Sequence, residues 1–375
     1  MRKETITVHT GTYHDSETRG VNTPIFTSSS YEYLEREDTP YPRYFNTPNQ
    51  DAVVRKMCAL EGAEDGLLFS SGMAAVSTAI LAFAGAGDHI ILLDALYGGT
   101  HAFATDTFDK FGIQYTFVAS DAEAVGRAVT PATKVIVLES PTNPLLEVID
   151  IARVAEIARS NGITTIFDNT FATPVNQNPL RFGIDVVIHS GTKYLGGHSD
   201  LCCGIAVTSR ERAEQIRAMA RHLGGSLNGL TCYLLERSLK TLAIRVERQN
   251  ENALRISEFL ADHPAVRRVN YPGLPSHPAH PIARSLMTGY GGMLSFELDG
   301  TLSTDVFLKR LKLIRPAVSL GGIETIICAP CDTSHAKMSA DERRRVGISD
   351  GLLRLSVGIE HPSDLMEDLD QAMLV

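Results

Sequence analysis

The chain has 375 residues, of which 43% are hydrophobic and 21% are charged, and its formal net charge is −9. This length suggests two or three domains with enough chain to bury a sizeable core. The acidic balance offers no basic surface to nucleic acid or an anionic membrane, and no apolar stretch suits a spanning helix or signal core, so we expect a cytoplasmic protein without such partners.

The first 48 residues are predicted to be an arm rather than a compact unit. Glycines and prolines are scattered through them, and no hydrophobic period is sustained. Such an arm lies across its own domain or reaches a neighbouring subunit. Within it, Tyr41 and Arg43 stand between prolines, where a guanidinium beside a phenol can clamp a phosphate. A surface turn is the alternative.

From residue 50 to residue 208, strand-like apolar runs alternate with helix-like segments. Helices are predicted at 50–61, 73–84, 103–111 and 151–161. Strands are predicted at 66–69, 89–93, 114–118, 135–138, 164–167, 185–188 and 204–207. Continuous apolar runs separated by helices indicate a mostly parallel sheet covered on both faces. In such a sheet the ligand site lies beyond the carboxyl ends of the strands.

The pattern changes after residue 209 and becomes more helical. A long amphipathic span, 231–261, is followed by a proline-rich break, a strand at 293–298, a helix at 304–313, a strand at 352–358 and a final helix from residue 362. We therefore predict an arm at 1–48, a large domain at 49–244 and a smaller α+β domain at 245–375.

A serine and a glycine, Ser71 and Gly72, link the strand at 66–69 to the next helix. Backbone N–H groups at such a helix start form an anion site that suits phosphate. Simple capping of the helix by Ser71 is the alternative, and both can hold. The segment matches neither the P-loop nor the dinucleotide fingerprint, which disfavours ATP and NAD.

Asp168 and Lys193 follow two different predicted strands of the same sheet. A carboxylate at the end of a buried strand needs a compensating partner, for which a protonated ring nitrogen or a metal is suitable. No His or Cys stands near Asp168 at ligand spacing. Lys193 is either a surface charge or an amine nucleophile. A phosphate cradle, a buried carboxylate and a lysine together meet the requirements of pyridoxal phosphate (PLP).

The six cysteines are too few and too scattered for a disulfide framework. Cys328 and Cys331 have the C-x-x-C spacing of redox and zinc sites, but no second ligand pair follows at zinc spacing. We expect no metal site.

Several motifs resemble those of the cystathionine and methionine metabolism family of fold type I PLP enzymes, along nearly the whole chain. They are Ser190-Gly191-Thr192-Lys193-Tyr194 with Gly197-His198-Ser199-Asp200, Glu139-Ser140-Pro141-Thr142-Asn143-Pro144, Asp168-Asn169-Thr170, Leu96-Tyr97-Gly98-Gly99-Thr100 and Arg354-Leu355-Ser356-Val357-Gly358. The resemblance implies an α/β fold with a mostly parallel large-domain sheet, a smaller C-terminal α+β domain and a homotetramer of two active dimers.

The resemblance also implies roles for the residues around the cofactor. Lys193 is the Schiff-base lysine and proton shuttle, Asp168 pairs with the pyridine nitrogen, and Tyr97 stacks on the ring and can act as an acid or base. The phosphate contacts are Gly72, Met73, Ser190 and Thr192, completed by Tyr41 and Arg43 of a neighbouring subunit.

For the substrate, the resemblance implies that Arg354 binds the α-carboxylate with Ser319 and Asn143 assisting. Glu324 matches the pattern of cystathionine-using relatives. Ala102 stands where those relatives usually carry an arginine, and Gly99 stands where methionine γ-lyases usually have a cysteine. The order Asn46-Thr47-Pro48 also departs from the usual Asn-Pro-Thr.

We expect a C–S lyase that eliminates at Cβ or Cγ of a sulfur amino acid, with cystathionine as the leading substrate, and releases ammonia, a 2-oxo acid and a thiol. The alternatives are γ-replacement, as in cystathionine γ-synthase or an O-acylhomoserine sulfhydrylase, and methionine γ-lyase activity. An aminotransferase and a cofactor-binding protein without turnover are further alternatives.

Overall fold

The computed structural model describes residues 1–35, 39–333, 343 and 347–374. Within these residues no helix combines the length and apolarity that a membrane span requires. Two sheets organise the described chain, and a cavity lies between them.

The larger sheet confirms the predicted, mostly parallel architecture. Its strands are β1 (Asp65–Phe69), β2 (His89–Leu93), β3 (Gln114–Val118), β4 (Thr133–Glu139), β5 (Thr164–Asp168), β6 (Val186–Ser190) and β7 (Gly204–Thr208). Their spatial order is β1-β7-β6-β5-β4-β2-β3. The pairs from β6 to β3 are parallel, whereas β7 runs antiparallel to both of its neighbours. Strands β2 and β7 are buried at every residue, which explains their uninterrupted apolar runs.

Helices cover the larger sheet. They are α1 (Lys3–His9), α2 (Pro48–Glu61), α3 (Gly72–Phe83), α4 (Gly98–Thr107), α5 (Ala122–Ala128), α6 (Ile151–Ser160), α7 (Thr173–Asn176), α8 (Arg210–Leu223) and α9 (Gly229–Leu239). Short 3-10 helices lie at Pro42–Tyr44, Phe108–Phe111, Pro179–Phe182 and Pro330–Asp332. The local sequence explains where some of these helices begin. Thr47 and Gln50 form a capping box at the start of α2, and Asp150 caps the start of α6.

The second sheet lies in the C-terminal part of the chain. Its strands are β8 (Val266–Asn270), β9 (Met293–Leu298), β10 (Arg315–Pro316), β11 (Ile326–Cys328) and β12 (Leu352–Ser356), in the spatial order β10-β11-β12-β9-β8. The accompanying helices are α10 (Leu242–Asp262), α11 (His280–Leu286), α12 (Thr304–Arg310) and α13 (Pro362–Met373). The predicted domain boundary after residue 244 falls inside α10, and the division into domains stays a prediction.

The structure differs from the predicted helices in several places, including the helix predicted at 304–313, which ends at Arg310. The amphipathic span 231–261 is two helices, because the carbonyl of Ser238 accepts side-chain hydrogen bonds from Thr241 and Arg245 where the chain turns between them. The helix predicted at 103–111 begins at Gly98 and changes to a 3-10 helix at Phe108. The arm contains α1, which packs against α2 and α10, a tertiary contact that has no local signal.

Candidate active site

A cavity of about 570 Å³ opens where the carboxyl ends of the parallel strands face the second sheet. Glu139 ends β4, Asp168 ends β5 and Ser190 ends β6, and all three line it. The cavity is lined by ten of the residues predicted from the sequence: Gly72, Met73, Tyr97, Asn143, Asp168, Ser190, Thr192, Lys193, Ser319 and Arg354. Strand ends thus gather residues that are far apart in the chain.

The amino end of α3 forms an anion cradle on one side of the cavity. Ser71 caps the helix, since its Oγ accepts a hydrogen bond from the Ala74 N–H at 3.0 Å. The N–H groups of Gly72 and Met73 lie in the first turn, where a helix supplies no backbone partner. A Cβ at Gly72 would stand 2.9 Å from the Ser190 Cβ, so the backbone approaches the strand end at a point that only glycine permits.

Lys193 extends into the cavity from the loop after β6. Its Nζ donates a hydrogen bond to Ser319 Oγ at 2.7 Å. Burial, followed by the nearby positive charge of Arg354, lowers the pKa of Lys193 below its ordinary value. A larger fraction of the amine is therefore neutral, which is the form that acts as a nucleophile or base.

Ser319 contacts both cationic side chains, Lys193 and Arg354, that line the cavity among the described residues. Its Oγ accepts from Lys193, and its carbonyl accepts from Arg354 Nη2 at 2.9 Å. Ser319 is a non-glycine residue with φ of 87°, a left-handed conformation that costs about 1–3 kcal/mol. The surrounding contacts maintain this strained backbone where the two cations meet.

Arg354 is 6% exposed and lines the cavity. Its Nη1 donates to Asn143 Oδ1 at 3.0 Å. Its buried Nε has no hydrogen-bond partner among the residues that the structure describes. Since buried donors are normally satisfied, this geometry suits an anionic ligand such as a carboxylate.

Asp168 accepts a hydrogen bond from the Thr170 N–H at 3.0 Å. Burial raises the pKa of Asp168, while hydrogen bonds from Thr170 and the charges of His189 and Lys193 act in the opposite direction. Thr170 Oγ1 also accepts from the Ser190 N–H at 2.8 Å, which joins the ends of β5 and β6. Thr170 belongs to the Asp168-Asn169-Thr170 motif, but no role was predicted for it from the sequence.

No role was predicted from the sequence for Glu139 or Arg245 either. Glu139 ends a buried strand, the same signal that identified Asp168, so the sequence could have indicated it. Arg245 is buried on α10 and donates to the carbonyls of Tyr194 at 2.7 Å and Leu195 at 3.4 Å, directly after Lys193. Burial lowers the pKa of Arg245 to about 10. No local pattern marks Arg245, because its contacts depend on the packing of α10.

Three predicted residues do not line the cavity. Arg43 Nη1 donates to the Arg221 carbonyl at 2.8 Å, and its guanidinium lies over the rings of Tyr41 and Tyr44. The role predicted for Tyr41 and Arg43 concerns a neighbouring subunit and stays a prediction. Glu324 is not among the lining residues, and its carboxylate lies beside Gly322 and accepts a hydrogen bond from Ser199. Its role in substrate binding stays a prediction.

The chain is similar to curated proteins along its full length. It is 42% identical to a cystathionine gamma-lyase of Bacillus subtilis, covering 100% of this chain and 99% of that protein. It is 44% identical to the cystathionine beta-lyase MetC of the same organism, covering 99% and 96%. A cystathionine gamma-synthase of Mycobacterium bovis is 42% identical, covering 98% and 95%.

The structural and family comparisons agree with this similarity. A crystal structure of cystathionine gamma-lyase from Lactobacillus plantarum, complexed with L-serine, matches with a TM-score of 0.95 and 39% identity, covering 99% of this chain and 98% of that one. The metB protein of Corynebacterium glutamicum matches with a TM-score of 0.94 and 37% identity, covering 100% and 98%. The family described as Cys/Met metabolism PLP-dependent enzyme matches residues 4–374. The chain therefore belongs to the Cys/Met metabolism family of PLP-dependent enzymes, as a lyase or synthase of trans-sulfuration.

Proposed function

We propose that this protein is a PLP-dependent C–S lyase that cleaves cystathionine by β- or γ-elimination and releases a thiol, ammonia and a 2-oxo acid. The observation that carries the proposal is the position of Lys193, whose part-buried amine shares one cavity with the carboxylate of Asp168 and the guanidinium of Arg354. The relatives named cystathionine gamma-lyase and beta-lyase support the same reaction class.

The residues of the cavity fit PLP. The first-turn N–H groups at Gly72 and Met73 and the hydroxyl of Ser190 suit its phosphate, and the close approach at Gly72 leaves that space open. The buried carboxylate of Asp168 suits a protonated pyridine nitrogen, and Lys193 supplies the amine that attaches the cofactor. When bound, PLP supplies an electron sink that stabilises negative charge at the substrate Cα.

The chain's own residues then bind and orient the substrate and move its protons. Arg354 holds the α-carboxylate through its guanidinium, which Asn143 and the Ser319 carbonyl keep in place. Lys193, with its lowered pKa, accepts the proton from Cα, and Ser319 Oγ holds the Lys193 amine at its resting position. Elimination at Cγ also requires a proton to leave Cβ, and the long Lys193 side chain can serve both carbons.

The test combines absorbance with product analysis. Wild-type protein should take up PLP and show the visible absorbance of the lysine-bound cofactor, and it should form 2-oxo acid and ammonia from cystathionine. Lys193→Ala should lose turnover by several orders of magnitude, whereas Lys309→Ala, which removes an exposed lysine paired with Asp305, should behave like wild type. A wild-type protein that stays colourless with PLP would refute the proposal.

γ-Replacement is the second candidate, because the relative named cystathionine gamma-synthase is as similar to this chain as the gamma-lyase, at 42% identity. Assays on cystathionine, methionine, cysteine and homoserine esters, with and without an added thiol, separate the two reactions. Formation of a thioether at the expense of 2-oxo acid would favour replacement.

We also propose a homotetramer of two active dimers. Tyr41 and Arg43 lie outside their own chain's cavity, and the arm exposes large apolar side chains, including Leu34 with 72% exposure. Contact between this arm and a second subunit would cover such residues. Light scattering should give the mass of four chains, and a monomer that retains full activity would refute the arrangement.

A further inference from the structure

Glu139 and Asp168 are neighbouring acidic residues in the wall of the cavity. The parallel pairing of β4 and β5 places Glu139 directly beside Asp168 in register, and both residues line the same cavity. Neither side chain forms an ion pair within the described part of the chain. Two carboxyl groups this close do not readily carry two negative charges, because each disfavours ionisation of the other.

The contacts of Glu139 are those of an uncharged group. Its side chain is 4% exposed, and Oε2 accepts one hydrogen bond, from the Tyr97 N–H at 2.7 Å. Each terminal nitrogen of Arg354 donates a hydrogen bond to another residue, Nη1 to Asn143 and Nη2 to Ser319. Burial, and then the charge of Asp168, raise the pKa of Glu139 well above its ordinary value, while the Tyr97 hydrogen bond and Arg354 act in the opposite direction.

Asp168 is the better placed of the two to keep its charge. It accepts hydrogen bonding from Thr170, and the charges of His189 and Lys193 also favour its ionised form. Glu139 has the Tyr97 N–H and the charge of Arg354 as its only stabilising neighbours among the described residues. The proton shared by an acidic pair resides on the member whose anion is less stabilised, which here is Glu139.

We propose that Glu139 is a positioning residue held as a neutral carboxylic acid: its carbonyl oxygen fixes the backbone of Tyr97, and its proton leaves Asp168 as the single anion in this part of the cavity wall. The inference rests on the proposed function, since Tyr97 and Asp168 matter as cofactor residues. A second negative charge here would favour the protonated form of the Lys193 amine, which cannot accept a proton from substrate.

The first test compares the thermal stability of wild type and Glu139→Gln as a function of pH. An acid with a raised pKa stabilises the fold fully below its unfolded value of 4.5, and this stabilisation is lost as the pH rises towards the folded value. Glutamine keeps the acceptor for Tyr97 without the ionisation. Its melting temperature should therefore exceed that of wild type at about pH 8, and the difference should shrink as the pH falls towards 4.5.

Glu61→Gln is the matched control. Glu61 is also buried, but its carboxylate contacts His189 Nε2 at 2.6 Å and accepts from Asn169 and Asn178. The same substitution should lower the melting temperature there, because it weakens a satisfied buried pair. A lower melting temperature for Glu139→Gln over the whole pH range would overturn the proposal, because it would show that Glu139 is a stabilising anion.

The second test observes the proton directly, and its deciding measurement is made on the wild-type protein. Wild-type protein labelled with ¹³C-glutamate should show the infrared carbonyl band of a protonated glutamate at neutral pH, in both the PLP-loaded and PLP-free forms. The band should be lost in Glu139→Gln and should disappear from wild type at alkaline pH. Its absence from wild type at neutral pH would overturn the proposal, whereas failure to take up PLP would overturn the proposed function alone.

Discussion

Replacement of Arg354 should weaken substrate recognition more than any other single change at the carboxylate subsite. Two of its nitrogens are held by Asn143 and Ser319, and the buried Nε is left without a partner. Removing one member of a buried charge pair costs about 3–5 kcal/mol. At about 1.4 kcal/mol per tenfold change, Arg354→Ala should lower kcat/KM by about 10²- to 10⁴-fold.

Arg354→Lys separates charge from geometry. Lysine keeps the positive charge but lacks the planar fork, so it should lose about one charge-assisted hydrogen bond, worth about 1.5–3 kcal/mol, or about 10- to 150-fold in kcat/KM. Steady-state kinetics of 2-oxo acid formation from cystathionine gives these ratios. Arg212→Ala, which removes a half-exposed guanidinium paired with Asp185, is the matched control and should leave kcat/KM unchanged.

The substrate carboxylate should account for the effect. The affinity of an amine analogue that lacks the carboxylate should be nearly equal for wild type and Arg354→Ala, because the lost interaction is absent in both. Arg354→Ala with an unchanged KM for cystathionine would refute the assigned role. An equally large loss of affinity for the amine analogue would show that Arg354 shapes the cavity instead.

Two further predictions concern the cradle and the second sheet's helix. Gly72→Ala would place its Cβ 2.9 Å from the Ser190 Cβ, and overpacking of about 1–3 kcal/mol should raise the dissociation constant of PLP by about 5- to 150-fold. Dilution with visible absorbance measures it, and Gly85→Ala, with open space around its Cβ, is the control. Asp368 is buried, which opposes its ionisation, but three backbone N–H groups outweigh this and lower its pKa. Asp368→Asn should cost about 1–3 kcal/mol at neutral pH. Urea denaturation should show this difference fading as the pH falls below the ordinary value of 3.8, since protonation removes the same interaction from wild type.

The residues with local chemical signals could be predicted from the sequence. Apolar runs predicted the seven strands through β7 and four of the helices that precede β7, but not α1, α5 or α7. The strand ends marked Asp168 and Lys193. Glu139 carried the same signal and could have been found. The role of Thr170 could not be predicted, because its Oγ1 accepts a hydrogen bond from the Ser190 N–H on the next strand. That contact depends on the register of β5 and β6.

By itself, the sequence determined the family, the parallel core and about half of the residues that line the cavity, because periodicity and motif residues depend on neighbours in the chain. Tertiary structure alone decided which residues from distant segments contact one another around the site. It placed the Glu324 carboxylate beside Gly322 and brought Arg245 to the loop that carries Lys193. It also gave Ser319 its strained backbone and placed Glu139 beside Asp168. The burial and charge at these sites arise from segments that meet only in the folded protein.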